Sequence, residues 1–241
     1  MDGRPKSTII AYTRSVRDLM EGLGKVPLDC SDEAVIAHLN HYRDEHDLGS
    51  STINARICGL RYLYHRVYKE QGRKLVIPNP KRIKQIGEVL TESEINLLLQ
   101  ACHYPRQSAI LHLLYDTGLR AREVAHLRLQ DFDKANGVLY VRYGKGGKHR
   151  VVPYGLAVTD ALKTYFLIEK PSDWLFEGST KGEPASVKSI QYAVREAHKR
   201  APIRKAVHPH TLRHTFAVHY LNNGGSIVRL QQLLGHSELG S

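Results

Sequence analysis

A chain of 241 residues with 35 Lys and Arg against 24 Asp and Glu carries a formal charge of +11 with its histidines neutral, while 41% hydrophobic residues suffice for a core and exclude general disorder. No apolar run reaches the roughly 18 residues of a membrane span, the start at Met1 has no signal-peptide core, and Cys30, Cys58 and Cys102 are too scattered for a disulfide framework or a Cys-x-x-Cys metal site. A soluble protein of the cell interior is expected, with a polyanion as the first partner to consider, because neutralised phosphates release counterions.

In chain order, residues 1–74 read as helical, in three stretches. Ser7 can cap a first helix whose apolar residues Ile9, Val16, Leu19, Met20 and Leu23 recur on one face, stopping near Gly24 and Pro27. Ser31 can cap a second, with Asp32 and Glu33 favoured by the helix dipole in its first turn and Val35, Leu39 and Tyr42 as its apolar stripe. Ser50 can open a third, which turns Ile53, Ile57, Leu60, Tyr64 and Val67 inward. Asn54, Arg61, His65 and Lys69 fall on a separate stripe, either a solvated face or a surface offered to DNA.

Residues 75–87 hold Pro78 and Pro80 with the cations Lys81, Arg82 and Lys84, so helix cannot continue and a basic, extended linker is expected. Charge is shared across it: residues 1–86 carry a net +5 and residues 87–241 a net +6, the distribution expected of two modules touching one polyanion.

The second half opens on a capping-box pattern, Thr91 to Glu94, ahead of Ile95, Leu97, Leu98 and Leu99. A helix near residues 107–116 follows, Gly118 interrupts, and a further helical stretch carries Val124, Leu127 and Leu129. The apolar period then drops from near 3.6 to 2 over Val138–Tyr143 and Arg150–Tyr154, which predicts a β-hairpin with Lys145 and Lys148 on its glycine-rich turn. Helices are expected near 158–168, 186–199, 211–222 and 226–234, with Gly235 as a helix-stopping residue. The expected fold is mainly α: a helical N-terminal domain over 1–74, a linker over 75–87, and an α-rich domain over 88–241 with a small antiparallel β-sheet.

Three islands carry chemistry, and each also has an ordinary reading. Thr117-Gly118-Leu119-Arg120-Ala121-Arg122-Glu123-Val124 puts arginines at a glycine-marked helix entrance, where a lone arginine is commonly a surface charge. Gly144-Lys145-Gly146-Gly147-Lys148-His149-Arg150 is a basic turn that lacks the Gly-Lys-Ser/Thr ending and strand-to-helix setting of a nucleotide loop, so ATP binding is rejected. His208-Pro209-His210-Thr211-Leu212-Arg213-His214 sets His210 and Arg213 on one side of a first helical turn, suited to a phosphate diester. A metal held by His208, His210 and His214 competes with that reading, against a lack of nearby carboxylates and an intervening arginine that repels a cation.

Together with Leu234-Gly235-His236-Ser237, these motifs occur in the order and at about the spacing of the tyrosine recombinases, the phage-integrase and Xer group, which the chain resembles over nearly its whole length. The resemblance implies a helical, SAM-like core-binding domain over 1–74 and a catalytic domain over 88–241. It also implies site-specific DNA cleavage and rejoining through a 3′-phosphotyrosyl intermediate, with no metal or nucleotide cofactor. Arg120 and Arg213 would grip the non-bridging phosphate oxygens, His210 would assist proton transfer at the tyrosine, Lys145 would protonate the departing 5′ oxygen and His236 would hydrogen-bond the phosphate. Partners would be double-stranded DNA, with the Asn54, Arg61, His65, Lys69 stripe, the cations Lys81, Arg82 and Lys84, and Lys148 lining a clamp, and further copies of the chain, from dimer to tetramer. The setting would be the cytoplasm, at the nucleoid of a prokaryote or its mobile elements.

The pattern departs from the family at one point. The nucleophilic tyrosine is expected about nine residues beyond His236, near position 245, and none of the 13 tyrosines stands there; Tyr220 is expected to pack in the core. The expectation is therefore a shortened recombinase that binds DNA without forming the covalent adduct by itself, with a type IB topoisomerase-like activity or a non-enzymatic DNA-binding regulator as alternatives.

Overall fold

The computed structural model describes residues 5–46, 48–69, 72, 75–77, 87–142, 149–180 and 182–235. The chain divides into two compact units, 1–85 and 86–241.

The first unit is built on three helices, α1 (Lys6–Leu23), α2 (Asp32–Glu45) and α3 (Ser50–Tyr62). Pro5 precedes α1, and its carbonyl accepts the amide of Thr8 at 2.9 Å, so the helix starts one residue ahead of the serine expected to cap it. Ser31 caps α2 as expected, its hydroxyl accepting the Ala34 amide at 3.2 Å. Leu19, Val35, Leu39, Ile53, Ile57, Leu60 and Tyr64 form the core.

Three expected core residues do not join it: Ile9, Met20 and Val67 are exposed. On α1 the buried line runs through Ser15 and Leu19, with Ser15 meeting Gly59 of α3. A Cβ on Gly59 would stand 3.1 Å from the Tyr12 Cα and 3.2 Å from the Ser15 Cβ. Small residues let these two helices approach closely, and that rotates Ile9 and Met20 outward. After α3 the backbone widens into a π-helical turn, Leu63–Val67, which keeps Tyr64 inside and turns Val67 to solvent.

The expected linker begins later than its composition implies. Leu75 and Ile77 are buried in the core of the first unit while Val76 between them is 74% exposed, the alternation of an extended segment with one covered face. The Asp32 carboxylate accepts the Val76 amide at 3.2 Å, and the Arg61 guanidinium donates to the Ile77 carbonyl. Lys81, Arg82 and Lys84 lie outside the described residues.

The second unit holds α4 (Glu92–Gln100), α5 (Pro105–Thr117), α6 (Ala121–Ala125), the strands β1 (Phe132–Asp133), β2 (Val138–Val141) and β3 (Arg150–Pro153), then α7 (Leu156–Glu169), α8 (Val187–Arg200), α9 (Pro209–Asn222) and α10 (Ile227–Leu234). The strands form one antiparallel sheet in the order β1-β2-β3, with Phe132 opposite Leu139 and Val141 opposite Arg150. The fold is thus mainly helical with a small antiparallel sheet. α5 is its axis: Ala109, Ile110, Leu111, Leu113 and Leu114 are buried, and the helix packs against α7, α8 and α9.

The capping box of α4 forms as its residues predict, with the Thr91 amide donating to Glu94 Oε2 at 2.8 Å and the Glu94 amide to Thr91 Oγ1 at 3.2 Å. The helical stretch expected through Leu129 stops at Ala125 instead. There the backbone turns to pair with a distant segment: Leu175 donates to the Leu127 carbonyl at 2.7 Å, Leu129 to the Asp173 carbonyl at 2.9 Å, and Arg128 lies 4.3 Å over the Trp174 ring. No helix among the described residues is long and apolar enough to cross a membrane.

If residues 75–77 belong to the first core, Leu75→Ala should cost about 2–5 kcal/mol in urea unfolding followed by circular dichroism, because it leaves a cavity, whereas Val76→Ala should leave stability almost unchanged. Equal effects would place this segment outside the core.

Candidate active site

The site is assembled from the ends of four helices. α5 stops at Gly118, whose φ of +60° is the left-handed conformation of a helix C-terminus. A Cβ there would stand 2.4 Å from the Phe216 ring, so glycine is required twice over, by backbone and by space. α10 stops in the same way at Gly235, φ +64°. Both ends expose carbonyls, and Arg213 on α9 takes one from each: Nη1 donates to Gly118 O at 2.6 Å and Nη2 to Leu234 O at 2.7 Å.

Arg213 is 8% exposed. Burial first, and then the nearby charge of Arg120, push its pKa down to about 10, which still leaves it protonated at neutral pH. Carbonyls at helix C-termini carry partial negative charge and can hold such a cation without neutralising it.

Arg120 immediately precedes α6 and is tied to that helix by Glu123. The Glu123 carboxylate accepts the Arg120 amide at 2.8 Å and Arg120 Nη1 at 2.9 Å, and it also accepts both Nη atoms of Arg150 at 2.9 and 2.8 Å. Burial works to raise the Glu123 pKa, but the hydrogen bonds from Arg150 and the Arg120 amide, with both positive charges, outweigh it and leave the group below its ordinary value.

α9 begins with the third motif. His208 Nδ1 accepts the Thr211 amide at 3.1 Å and so caps the helix. His210 follows in the first turn and is exposed, its ring 6.4 Å from that of His208. Its pKa is lowered by partial burial first, then by the charges of His208, Arg213 and Arg120, so that at neutral pH it is an uncharged imidazole able to take up a proton.

These groups border an open cleft of about 820 Å³. Arg120, Arg122, Lys188, Arg195, His208 and His210 line it together with Tyr192, and no carboxylate among the described residues does. The structure therefore brings Arg120 and His210 to one cleft, with buried Arg213 near enough for its charge to act on His210. A concave surface of cations and neutral imidazoles stabilises negative charge on a bound oxyanion and offers a proton acceptor beside it.

Lys145, Lys148 and His236 lie outside the described residues. In the first unit, the expected stripe is broken. His65 and Lys69 are exposed, but Arg61 is half-buried with its guanidinium on the Ile77 carbonyl, and Asn54 is 8% exposed inside the helical core. A wheel drawn for one isolated helix cannot register that chain from residues 75–77 covers part of its polar side. Tyr220 is half-buried, its ring 5.9 Å from Phe216.

Sequence reasoning placed Arg122, Glu123 and Arg150 within its motifs without giving them a role, and it missed Lys188 and Arg195. Glu123 had a signal, an acidic residue three positions after Arg120 as in a capping box. Lys188, Tyr192 and Arg195 are spaced as one face of α8, but a charged face of that kind is ordinary until the fold turns it into a cleft.

His210 should titrate below 6.5 in the free chain, measured by ¹H–¹⁵N NMR. Between its folded value and 6.5 the unfolded chain binds more protons, so this contribution to stability is fully present above pH 6.5 and is lost as pH falls through the folded value. His210→Gln should remove that component from the stability–pH curve; a midpoint at or above 6.5 would contradict the electrostatics described for the cleft.

Comparison with known proteins agrees in both halves of the chain. Residues 88–241 match the phage integrase family, and residues 1–73 match the phage integrase N-terminal SAM-like domain. A tyrosine recombinase of Pseudothermotoga lettingae is 33% identical, over 97% of this chain and 85% of its own length. Tyrosine recombinase XerC of Bacillus pumilus is 32% identical, over 97% of this chain and 83% of its own. Among solved structures, lambda integrase residues 75–356, a dimer bound to a COC′ core site, superposes with a TM-score of 0.81 at 21% identity, covering 98% of this chain and 90% of that one. The fold, the two matched segments and the relatives agree: the chain belongs to the phage integrase family, the tyrosine recombinases.

Proposed function

We propose that this chain grips and activates a DNA phosphodiester for site-specific recombination, in which DNA is cut and rejoined through a 3′-phosphotyrosyl link. Membership of the family supports site-specific DNA recombination. The observation that carries the finer reading is the cleft that Arg120 and His210 share, with no carboxylate among its described lining residues and with the charge of buried Arg213 acting on His210. Arg120 and Arg213 stabilise the charge that grows on the phosphate in the pentavalent transition state, and planar guanidinium matches two oxygens at once. His210, uncharged at neutral pH, takes the proton released as a tyrosine oxygen attacks. Lys145 protonates the departing 5′ oxygen, and His236 hydrogen-bonds the phosphate. Because the phosphotyrosyl bond conserves the energy of the phosphodiester, a strand from another duplex can be rejoined without nucleotide hydrolysis.

DNA binding extends beyond the reacting phosphate. Arg122, Lys188 and Arg195 lie along the same cleft and supply contacts to neighbouring phosphates. His65 and Lys69 on the first unit, the segment bearing Lys81, Arg82 and Lys84, and Lys148 add cations from elsewhere in the chain. Lambda integrase has been solved as a dimer on a core site and as a tetramer on a Holliday junction, and that supports a dimer-to-tetramer of this chain on DNA; its bacterial relatives support a setting in the bacterial cytoplasm.

Arg122→Ala, Lys188→Ala and Arg195→Ala should each weaken binding of a duplex and lower the slope of log K against log salt by about one, as expected for loss of one phosphate contact. Unchanged affinity in all three would remove the cleft as a DNA surface. Tyr192 is the tyrosine that lines this cleft, with the Arg195 guanidinium 5.2 Å from its ring centre, an arrangement we assign to DNA contact rather than attack. Incubating the 241-residue chain with a nicked suicide duplex should give a complex that denaturant dissociates. A denaturation-resistant band that Tyr192→Phe abolishes would instead make α8 the source of the nucleophile.

A further inference from the structure

Glu123 is the acceptor for two guanidiniums, and the second belongs to a residue that does not line the cleft. Arg150 is the first residue of β3, and its side chain is 9% exposed against 2% for Glu123. Its fork takes both carboxylate oxygens, Nη1 to Oε1 at 2.9 Å and Nη2 to Oε2 at 2.8 Å, while Nε donates to the Leu233 carbonyl at 2.6 Å. One side chain thus ties the strand β3, the carboxylate of α6 and the end of α10. The chain turns closely around it: a Cβ on Gly235 would stand 3.2 Å from Arg150 Nη1 and 3.3 Å from its Cδ.

The charges in this cluster decide what Arg120 can do. With one carboxylate and one guanidinium, Glu123 and Arg120 would close into a neutral bidentate pair, the geometry that arginine and carboxylate favour. With Arg150 present, the fork already covers both oxygens, and Arg120 is left with one side-chain bond to Glu123, from Nη1. A buried Arg–Glu pair is a weak source of stability against well-packed apolar side chains, so burial alone is a poor reason for it.

We propose that Arg150 is a positioning residue for phosphate capture: by occupying the Glu123 carboxylate it leaves the charge of the Arg120 guanidinium available to an anion in the cleft, and it joins the end of α10 to that arrangement. This rests on the reading of Arg120 as a phosphate ligand, and the variants below separate the two.

Affinity of the full 241-residue chain for a short fluorescein-labelled DNA duplex is measured by anisotropy at fixed low salt, with the thermal midpoint of each variant recorded alongside. Arg120→Ala should weaken binding about tenfold, the value of one charge-assisted contact. Arg150→Gln should weaken it about as much, although Arg150 is buried, because Glu123 then draws Arg120 onto itself. Arg150→Lys, which keeps a charge beside Glu123 but loses the fork and the bond to the Leu233 carbonyl, should bind between the parent chain and Arg150→Gln. The diagnostic variant is Arg150→Gln with Glu123→Gln. Removing the carboxylate frees Arg120 again, so affinity should recover toward that of the parent, whereas a merely structural role predicts no recovery. Unchanged binding in Arg150→Gln, or a double variant no better than the single one, overturns the positioning role while leaving the Arg120 reading intact. Unchanged binding in Arg120→Ala overturns that reading and this proposal with it.

Discussion

A buried guanidinium must find oxygen acceptors, and the way Arg213 finds them organises the second unit. Its two Nη groups hold the carbonyls of Gly118 and Leu234, the exposed C-terminal ends of α5 and α10. Acceptors of this kind exist only where a helix stops abruptly, and both helices stop through a glycine at positive φ. The arginine on α9, the two glycines and the two helix ends are therefore one device. α5 is also the axis of the unit's core, so the position of Arg213 is inherited from the packing of Ile110, Leu111, Leu113 and Leu114. A shift in that packing would be felt at the site.

The electrostatic character of the cleft follows from that device. Carbonyl dipoles hold Arg213 while leaving its full charge, and after partial burial, the larger cause, that charge acts with His208 and Arg120 to lower the His210 pKa. Glu123 is the one carboxylate among the described groups hydrogen-bonded to Arg120, and it is shared with Arg150. Positive charge thus remains in excess where an anion would sit, although a buried carboxylate lies next to Arg120. A polyanion bound there would replace water with fixed donors, which is how preorganised charge stabilises a transition state.

Much of this was legible in the residues. The capping box of α4, the glycine stops, the change of apolar period near residue 138 and the arginine and histidine motifs are local signals whose cause lies within a turn or two of chain. Local signals failed where distant chain intervened. Ser15 is buried because Gly59 permits close approach of another helix, and Val67 is exposed because a π-helical turn resets the helical phase. Leu75 and Ile77 read as linker beside the prolines, yet they complete a core supplied by residues far earlier. Asn54 matched a polar stripe and is buried by its neighbours.

For the site the division is similar. The chain by itself determined the helices, the hairpin strands, the overall positive charge and the identity of Arg120, His210 and Arg213, since each depends on residue type and short spacing. Only the tertiary structure decided that Arg150 reaches Glu123 across 27 positions, that Leu233 and Leu234 lend carbonyls to two arginines, and that Arg122, Lys188 and Arg195 share one cleft. The reason is geometric: a hydrogen bond or a shared electrostatic field needs atoms within a few ångströms, and separation along the chain carries no information about that distance until the core has packed.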